Sequence, residues 1–249
     1  MLRASVLTVC VVLGTTSVWV QTGPVFEPMQ PDLFAAGANL VNALADIEGD
    51  GDLDLFVGFD GTPNRLYRND GGVFADVAVA AGVADARATR AAAFGDVDAD
   101  GDPDLLLGFT PGPAGSVLRL YRNARGVFTD ATAAAGLSVT TGAVRQPAFV
   151  DADGDGDLDL FIAFRDRANA LLVNDGGVFT DRAAALGLAD PRKSVGAVWF
   201  DADEDGDLDV AVANMDGDAN GLFRNDGAVF VDVAEAAGVA WGGRRPRDP

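Results

Sequence analysis

One nine-residue stretch of this chain carries an acidic side chain at every second position. Residues 151–159 have aspartate at positions one, three, five, seven and nine, glycine at position six, and an apolar run directly afterwards. Carboxylates packed this closely repel one another unless a cation neutralises them. Calcium suits such a loop, because it takes roughly six to eight oxygen ligands in flexible geometry. The stretch therefore predicts a calcium loop.

The nonapeptide occurs four times, beginning at residues 46, 96, 151 and 201, with spacings of 50, 55 and 50 residues. Positions one, three and five are expected to supply side-chain oxygens, position seven its backbone carbonyl, and position nine a closing carboxylate. Glycine at position six permits a sharp turn. One calcium ion per repeat, four in all, is expected. The predicted metal ligands are Asp46, Glu48, Asp50, Asp52, Asp54, Asp96, Asp98, Asp100, Asp102, Asp104, Asp151, Asp153, Asp155, Asp157, Asp159, Asp201, Asp203, Asp205, Asp207 and Asp209.

Other readings of the loops fit less well. An EF-hand requires glutamate at position twelve, where this chain has Val57, Leu107, Ile162 and Val212. Magnesium prefers a strict octahedron and keeps its waters, and zinc prefers Cys or His ligands. A single such run is often only a solvated turn, but four copies, each followed by an apolar run, argue against that interpretation.

Composition narrows the functional classes. The 249 residues include 38 acids, 18 bases and no histidine, for a formal net charge of −20, and the four loops hold more than half of the acids. Such a surface disfavours nucleic acid and anionic membranes as partners. Without histidine, and with Cys10 as the one cysteine, histidine- or cysteine-based nucleophilic triads are excluded. We expect no enzyme, with a carboxylate-pair glycosidase as the enzymatic alternative.

The amino terminus resembles a secretory signal. Arg3 precedes an apolar run over residues 6–13, and small residues follow at 15–17. We predict a signal peptide at residues 1–20, a secreted, extracellular or periplasmic protein, and no membrane insertion after cleavage. The alternative interpretation is a buried first strand. Cys10 lies inside this segment, so the mature chain would have no disulfide and would depend on metal for stabilisation.

Each repeat has the same predicted order of elements: an apolar strand before the loop, an apolar strand after it, an alternating third strand, a glycine-containing turn and a fourth strand. Four antiparallel strands in about 50 residues form a β-propeller blade. We predict an all-β propeller with blades at residues 37–84, 85–138, 139–189 and 190–240. Either the four blades form a compact ring or the chain is part of a larger propeller. Residues 21–36 are expected to be extended, with a possible outer strand at 25–27, and 241–249 form a short basic tail.

These motifs are similar to a known repeat family. Asn-Gly-Leu-Phe-Arg-Asn at 220–225 and Val-Phe-Thr-Asp-Ala-Thr at 127–132, together with the acidic loops, resemble FG-GAP/VCBS repeats, the calcium-loop blades of integrin α-subunit propellers. They look most like the repeats of ASPIC/UnbV-type proteins. The resemblance covers residues 37–240. It implies that loop acids hold calcium between the first two strands of each blade. Glu48 departs from the usual Asp or Asn.

The expected function is a secreted calcium-binding propeller that serves as a protein- or surface-interaction module of the adhesion type. The ions would stabilise loops and not catalyse. The alternative is a calcium-dependent, lectin-like propeller, since Tyr67, Tyr121, Trp199 and Trp241 are aromatic rings of the kind that stack on sugars. An incomplete propeller would favour oligomers.

Overall fold

The computed structural model describes residues 30–34, 37–112, 115–227 and 229–242. Within them lie sixteen strands and three one-turn helices. The helices are α1 (Pro31–Phe34), α2 (Ala78–Ala81) and α3 (Ala183–Leu186). Sheet 1 contains β1 (Asn39–Ala45), β2 (Asp54–Phe59), β3 (Arg65–Asp70) and β4 (Val73–Asp76). Sheet 2 contains β5 (Thr89–Gly95), β6 (Asp104–Phe109), β7 (Leu118–Ala124) and β8 (Val127–Asp130). Sheet 3 contains β9 (Val144–Val150), β10 (Asp159–Phe164), β11 (Ala170–Asp175) and β12 (Val178–Asp181). Sheet 4 contains β13 (Ser194–Phe200), β14 (Asp209–Asn214), β15 (Gly221–Asn225) and β16 (Phe230–Asp232).

Every sheet is an antiparallel meander in which sequence neighbours pair in order. The acidic loop connects the first strand to the second, and a tight turn connects the third to the fourth. The second strands β6 and β10 are buried along their whole length, as expected for strands with a neighbouring sheet on both faces. The predicted all-β fold of four-stranded, propeller-like blades is therefore confirmed. Each sheet falls inside its predicted repeat, although the repeat boundaries themselves stay predictions.

Three hydrophobic cores join consecutive sheets. One core packs Phe56 and Leu66 of sheet 1 against Leu105 and Leu107 of sheet 2. Corresponding cores join sheet 2 to sheet 3 and sheet 3 to sheet 4. The first strands lie side by side in the same order, β1 against β5, β5 against β9, and β9 against β13. Among the described residues no hydrophobic core joins sheet 4 back to sheet 1.

The segment before sheet 1 differs from its prediction. Residues 21–36 were expected to be extended, but Pro31–Phe34 form one helical turn. Proline is tolerated in the first turn of a helix, because the N–H that it lacks would have no partner there. The predicted signal at 1–20, the possible strand at 25–27 and tail residues 243–249 lie outside the described residues. None of the described helices has the length and apolar character of a membrane span.

Candidate metal sites

Position one organises the backbone of each loop. In the first loop the carboxylate of Asp46 accepts the N–H groups of Gly49, Asp50 and Gly51 at 2.8, 3.1 and 2.7 Å. These backbone bonds, the strongest from Gly51, hold the pKa of Asp46 below its ordinary value. Equivalent bonds form from Gly101 to Asp96, from Gly156 to Asp151 and from Gly206 to Asp201. The chain itself thus shapes each loop around the aspartate at position one.

Two left-handed residues complete the turn. The glycine at position six has φ between 93° and 99° in all four loops, as the sequence predicts. Position four also has positive φ, which sequence reasoning missed because two loops have no glycine there. Ala99 has φ 58° and Glu204 has φ 64° in that position. Left-handed backbone disfavours residues with a Cβ, so both loops carry local strain.

The aspartate at position nine ties the loop to the hairpin of its own sheet. Asp159 is fully buried, and its two oxygens accept the N–H groups of Ala152 at 3.0 Å and Asn174 at 2.8 Å. Burial raises the pKa of Asp159 to about 6 despite these bonds. Asp54, Asp104 and Asp209 are buried and bonded in the same way.

Three carboxylates converge in each repeat. In repeats two, three and four these are positions one, three and nine, whose oxygens lie within 4.8 Å of one another. These clusters are Asp96, Asp98 and Asp104; Asp151, Asp153 and Asp159; and Asp201, Asp203 and Asp209. Asp100, Asp155 and Asp205 at position five instead accept the N–H of position seven, at 2.9 Å in each case. The structure therefore brings three of the five predicted acids of these loops together.

In the first two loops the side chain at position seven bonds to the hairpin. Asp52 Oδ2 accepts the N–H of Gly71 at 2.7 Å, and Asp102 Oδ2 accepts that of Arg125 at 3.0 Å. These side chains fix the loop against the turn between the third and fourth strands.

The first repeat is arranged differently. Its converging carboxylates are Glu48, Asp50 and Asp70, without Asp46. Asp70 ends β3, and sequence reasoning missed it; the Asn-Asp-Gly turn was the available signal. Burial, followed by the charge of Asp54, raises the pKa of Glu48 to about 7, and its Oε2 has no hydrogen-bond partner among the described residues. The longer side chain thus shifts the first cluster toward the hairpin.

Arginines neutralise three of the four clusters. Arg122 lies 2.7 Å from Asp104 and 3.1 Å from Asp98, Arg68 lies 3.4 Å from Glu48, and Arg224 lies 3.9 Å from Asp203. The corresponding residue of sheet 3 is Val173, which has no charge. Burial, followed by the charge of Asp155, raises the pKa of Asp153 in this third cluster. The third loop therefore has the largest uncompensated negative charge.

The donor set fits a hard divalent cation. Each cluster consists of three carboxylates and contains no nitrogen or sulfur ligand, and carboxylate oxygens are the ligands that a hard cation such as calcium prefers. The residues that would hold an ion are the three clustered carboxylates of each repeat. A bound ion would offset the burial and the neighbouring negative charges that raise the pKa values of Glu48, Asp153 and Asp159.

The predicted sugar-stacking aromatics do not share one surface. Tyr67 and Tyr121 are buried, and Trp199 packs edge-on against Phe161 and Phe230 in the core between sheets 3 and 4. Trp241 alone of the four is exposed, at 75%. Stacking on a ligand is thus open only to Trp241 within this set.

Comparison with known proteins places the repeats in a family. The model of the FG-GAP-like repeat matches residues 46–107 and 151–212, about half of the chain, and each match begins at position one of a loop. A comparison with curated proteins finds no match.

Two solved structures show similar chains. BBS1N, in a crystal structure in complex with ARL6DN soaked with lead, is 13% identical with a TM-score of 0.51, over 79% of this chain and 56% of that one. The biofilm matrix protein Bap1 of V. cholerae is 18% identical with a TM-score of 0.45, over 78% of this chain and 30% of that one. This chain thus spans little more than half the length of the first neighbour and less than a third of the second. The family match and the four-stranded meander sheets are consistent with each other. The chain is an FG-GAP-like repeat protein.

Proposed function

We propose that this chain is a secreted calcium-binding repeat protein that serves as a protein- or surface-interaction module without enzymatic activity. The observation that carries the proposal is the repeated cluster of three carboxylates within 4.8 Å, with a buried aspartate in three of the four. A site with a dissociation constant near 0.1 mM in about 1 mM calcium would stabilise the fold by about 1.4 kcal/mol. The ions would act as folding ligands, because the clustered position-nine aspartate ties its loop to the hairpin of its own sheet.

Calcium titration by calorimetry tests the metal part of the proposal, with magnesium as the comparison. We expect uptake of calcium, weaker uptake of magnesium, and a higher Tm in calcium than in excess chelator. Absence of calcium uptake together with an unchanged Tm would refute it. Secretion rests on the signal-like residues 1–20, and amino-terminal sequencing of exported protein tests it.

The interaction role is supported by the architecture. Propeller-like sheets present loops on a rigid scaffold, and binding residues concentrate on such loops. The similar chain BBS1N is described in complex with ARL6DN. Pull-down with the calcium-loaded chain, against the chelated chain as control, tests this role.

A lectin-like role is the second candidate, and exposed Trp241 favours it. A glycan array probed with wild-type and Trp241→Ala protein separates the two. A calcium-dependent sugar signal that the substitution abolishes would favour the lectin.

A further inference from the structure

Each junction between consecutive sheets is built from one apolar row on either side. We call the surface of a sheet that packs against the next sheet its following face, and the opposite surface its preceding face. The following face presents one residue from each of the first three strands, paired across the sheet. These rows are Ala43, Phe56 and Leu66; Ala93, Leu106 and Leu120; and Ala148, Phe161 and Leu171. Their second- and third-strand members are at most 1% exposed.

The same row in sheet 4 is uncovered. Val198, Ala211 and Leu222 pair across its first three strands, so they occupy the same places. Val198 is 66% exposed, and Ala211 and Leu222 are half-buried. Phe200 is exposed on this face too, whereas its counterpart Ala45 in sheet 1 is buried. Sheet 4 thus ends the series with an apolar face that nothing among the described residues covers.

Two backbone contacts also recur at every junction. The hairpin asparagine of the later sheet donates to a loop carbonyl of the earlier one: Asn123 to Ile47 at 2.9 Å, Asn174 to Val97 at 2.9 Å, and Asn225 to Ala152 at 3.2 Å. The glycine that ends each alanine-rich turn lies against a phenylalanine carbonyl of the next sheet, as Gly136 does against Phe179. In sheet 4 the matching glycine is Gly238, and no atom of the described residues lies within 4 Å of the position that its Cβ would take. The loop carbonyl of sheet 4 that corresponds to those of Ile47, Val97 and Ala152 belongs to Ala202.

The preceding face of sheet 1 carries the complementary groups. Its row is Leu44, Leu55 and Tyr67, and Leu44 is 58% exposed. The hairpin asparagine is Asn69, whose amide donates to Leu53 O at 3.1 Å. Asn123, Asn174 and Asn225 each donate the corresponding hydrogen bond within their own sheet. Each of them also donates a second hydrogen bond to the loop carbonyl of the preceding sheet. In the described part of the chain Asn69 makes only the first.

Helix α1 covers part of this face. Phe34 lies 4.9 Å from the Tyr67 ring and 5.4 Å from the Phe74 ring, centroid to centroid. Gln30 exchanges two hydrogen bonds with the backbone of Phe74, at 2.7 and 3.0 Å. These contacts cap the outer strands and leave Leu44 on the first strand exposed. A partner sheet would meet Leu44 directly and would displace α1 from Tyr67.

We propose that two copies of this chain associate head to tail, with the following face of sheet 4 docked on the preceding face of sheet 1 of the other copy. The second copy offers the groups that every internal junction uses: an apolar row, a hairpin asparagine for the carbonyl of Ala202, and Phe74 for Gly238. Two such junctions give eight blades, within the range of known propellers. The proposal does not depend on which cation fills the loops, and α1 acts as a competing cover of the docking face.

The test is the mass of the full chain in solution, measured by size-exclusion chromatography with light scattering in millimolar calcium. The substitutions Val198→Asp and Leu44→Asp place a charge on one face each, at positions exposed enough to keep the fold. Val79→Asp, in α2 at a residue 84% exposed, is the matched control. We expect twice the mass of one chain for wild type and Val79→Asp, and a single-chain mass for each face variant alone. Circular dichroism checks that all variants are folded.

Mixing distinguishes head-to-tail association from other modes. Leu44→Asp keeps an intact sheet 4 and Val198→Asp keeps an intact sheet 1, so an equimolar mixture should regain the two-chain mass. Phe34→Ala, which weakens α1, should strengthen association, and association of this variant alone would also support the proposal. A wild-type mass above two chains that both face variants abolish supports the same junction without ring closure. Single-chain mass for both wild type and Phe34→Ala, or two-chain mass for Leu44→Asp alone, would overturn the proposal.

Discussion

The buried aspartate at position nine connects the acidic loop, the hairpin and the candidate cation site of its repeat. Its two oxygens accept backbone N–H groups from both segments, and it belongs to the carboxylate cluster in three of the four repeats. Substitution Asp159→Asn keeps the shape but replaces one acceptor oxygen with a donor. We expect a loss of about 1–3 kcal/mol in the free energy of unfolding and loss of calcium at the third loop. Urea unfolding and calorimetry measure the two effects.

Asp157→Asn is the matched control for this substitution. The substitution leaves the backbone carbonyl of residue 157, which is the predicted metal ligand, unchanged, and the Asp157 side chain belongs to none of the carboxylate clusters of the described residues. A stability change below about 0.5 kcal/mol is expected. Equal losses in the two variants would mean that total loop charge, and not the buried aspartate, decides both properties.

Arginine placement should set the order of calcium affinities. Arg122 already neutralises Asp98 and Asp104, whereas Val173 leaves the third cluster uncompensated. We expect Val173→Arg to weaken calcium binding at the third loop at least tenfold, because about 1.4 kcal/mol of added repulsion suffices for that factor. Arg122→Gln should strengthen binding at the second loop while destabilising the metal-free protein. Calorimetric titration of both variants checks this, and unchanged affinities would contradict it.

The left-handed backbone conformation of Ala99 in the second loop predicts that replacement of this residue by glycine stabilises the fold. Ala99 is exposed, with φ 58° at position four, where two other loops have glycine. Ala99→Gly should raise the free energy of unfolding by about 1 kcal/mol, because relief of backbone strain exceeds the entropic cost of glycine. Thermal or urea unfolding measures the change. A loss of stability would show that position four does not carry strain.

The sheet junctions depend on close backbone approach at the turn glycines. A Cβ on Gly136 would lie 2.9 Å from the carbonyl oxygen of Phe179, whereas one on Gly238 would meet nothing within 4 Å in the part of the chain that the structure describes. Both glycines have similar φ, 74° and 72°, so Gly136→Ala and Gly238→Ala share the backbone penalty. We expect the first to destabilise the chain by at least about 1 kcal/mol more than the second. Equal losses in urea unfolding would contradict a structural role for the junction contact.

Strands and loop turns were predictable because their causes are local. Apolar runs such as residues 160–164, the Asp-Gly turns and the fourfold period specify the four-stranded sheets without reference to distant residues. The helical turn at Pro31 was missed, because it depends on the packing of the Phe34 ring against Tyr67 and Phe74 of sheet 1. Asp70 was missed for the same reason: only the folded hairpin brings it to Glu48 and Asp50. Sequence spacing alone does not show which acids converge, because Asp50 at position five joins the first cluster whereas the same position in the other three loops accepts the N–H of position seven.

At the scale of the whole molecule, consecutive sheets are joined by hydrophobic cores, and more than half of the acidic residues lie in one loop per sheet. The proton and the cation therefore compete for the same buried oxygens. In the metal-free fold the pKa of Glu48 is raised to about 7 and that of Asp159 to about 6, from ordinary values of 4.5 and 3.8, chiefly by burial. A pKa that is higher in the folded chain than in the unfolded chain contributes stability at low pH. That contribution is lost as the pH rises through the folded value.

The metal-free protein should therefore lose stability between about pH 5 and pH 7.5, with a fall in Tm on the order of 5 °C. Asp46 and Asp85, whose pKa values are lowered, change stability only below this window. Calcium favours the ionised carboxylates, so the Tm difference between calcium and excess chelator should widen over the same range. Scanning calorimetry at several pH values measures both trends, and the double variant Glu48→Gln, Asp159→Asn should flatten the metal-free curve. A metal-free Tm that rises from pH 5 to 7.5 would contradict the raised pKa values, and burial of these carboxylates would then not be what opposes their ionisation before a cation binds.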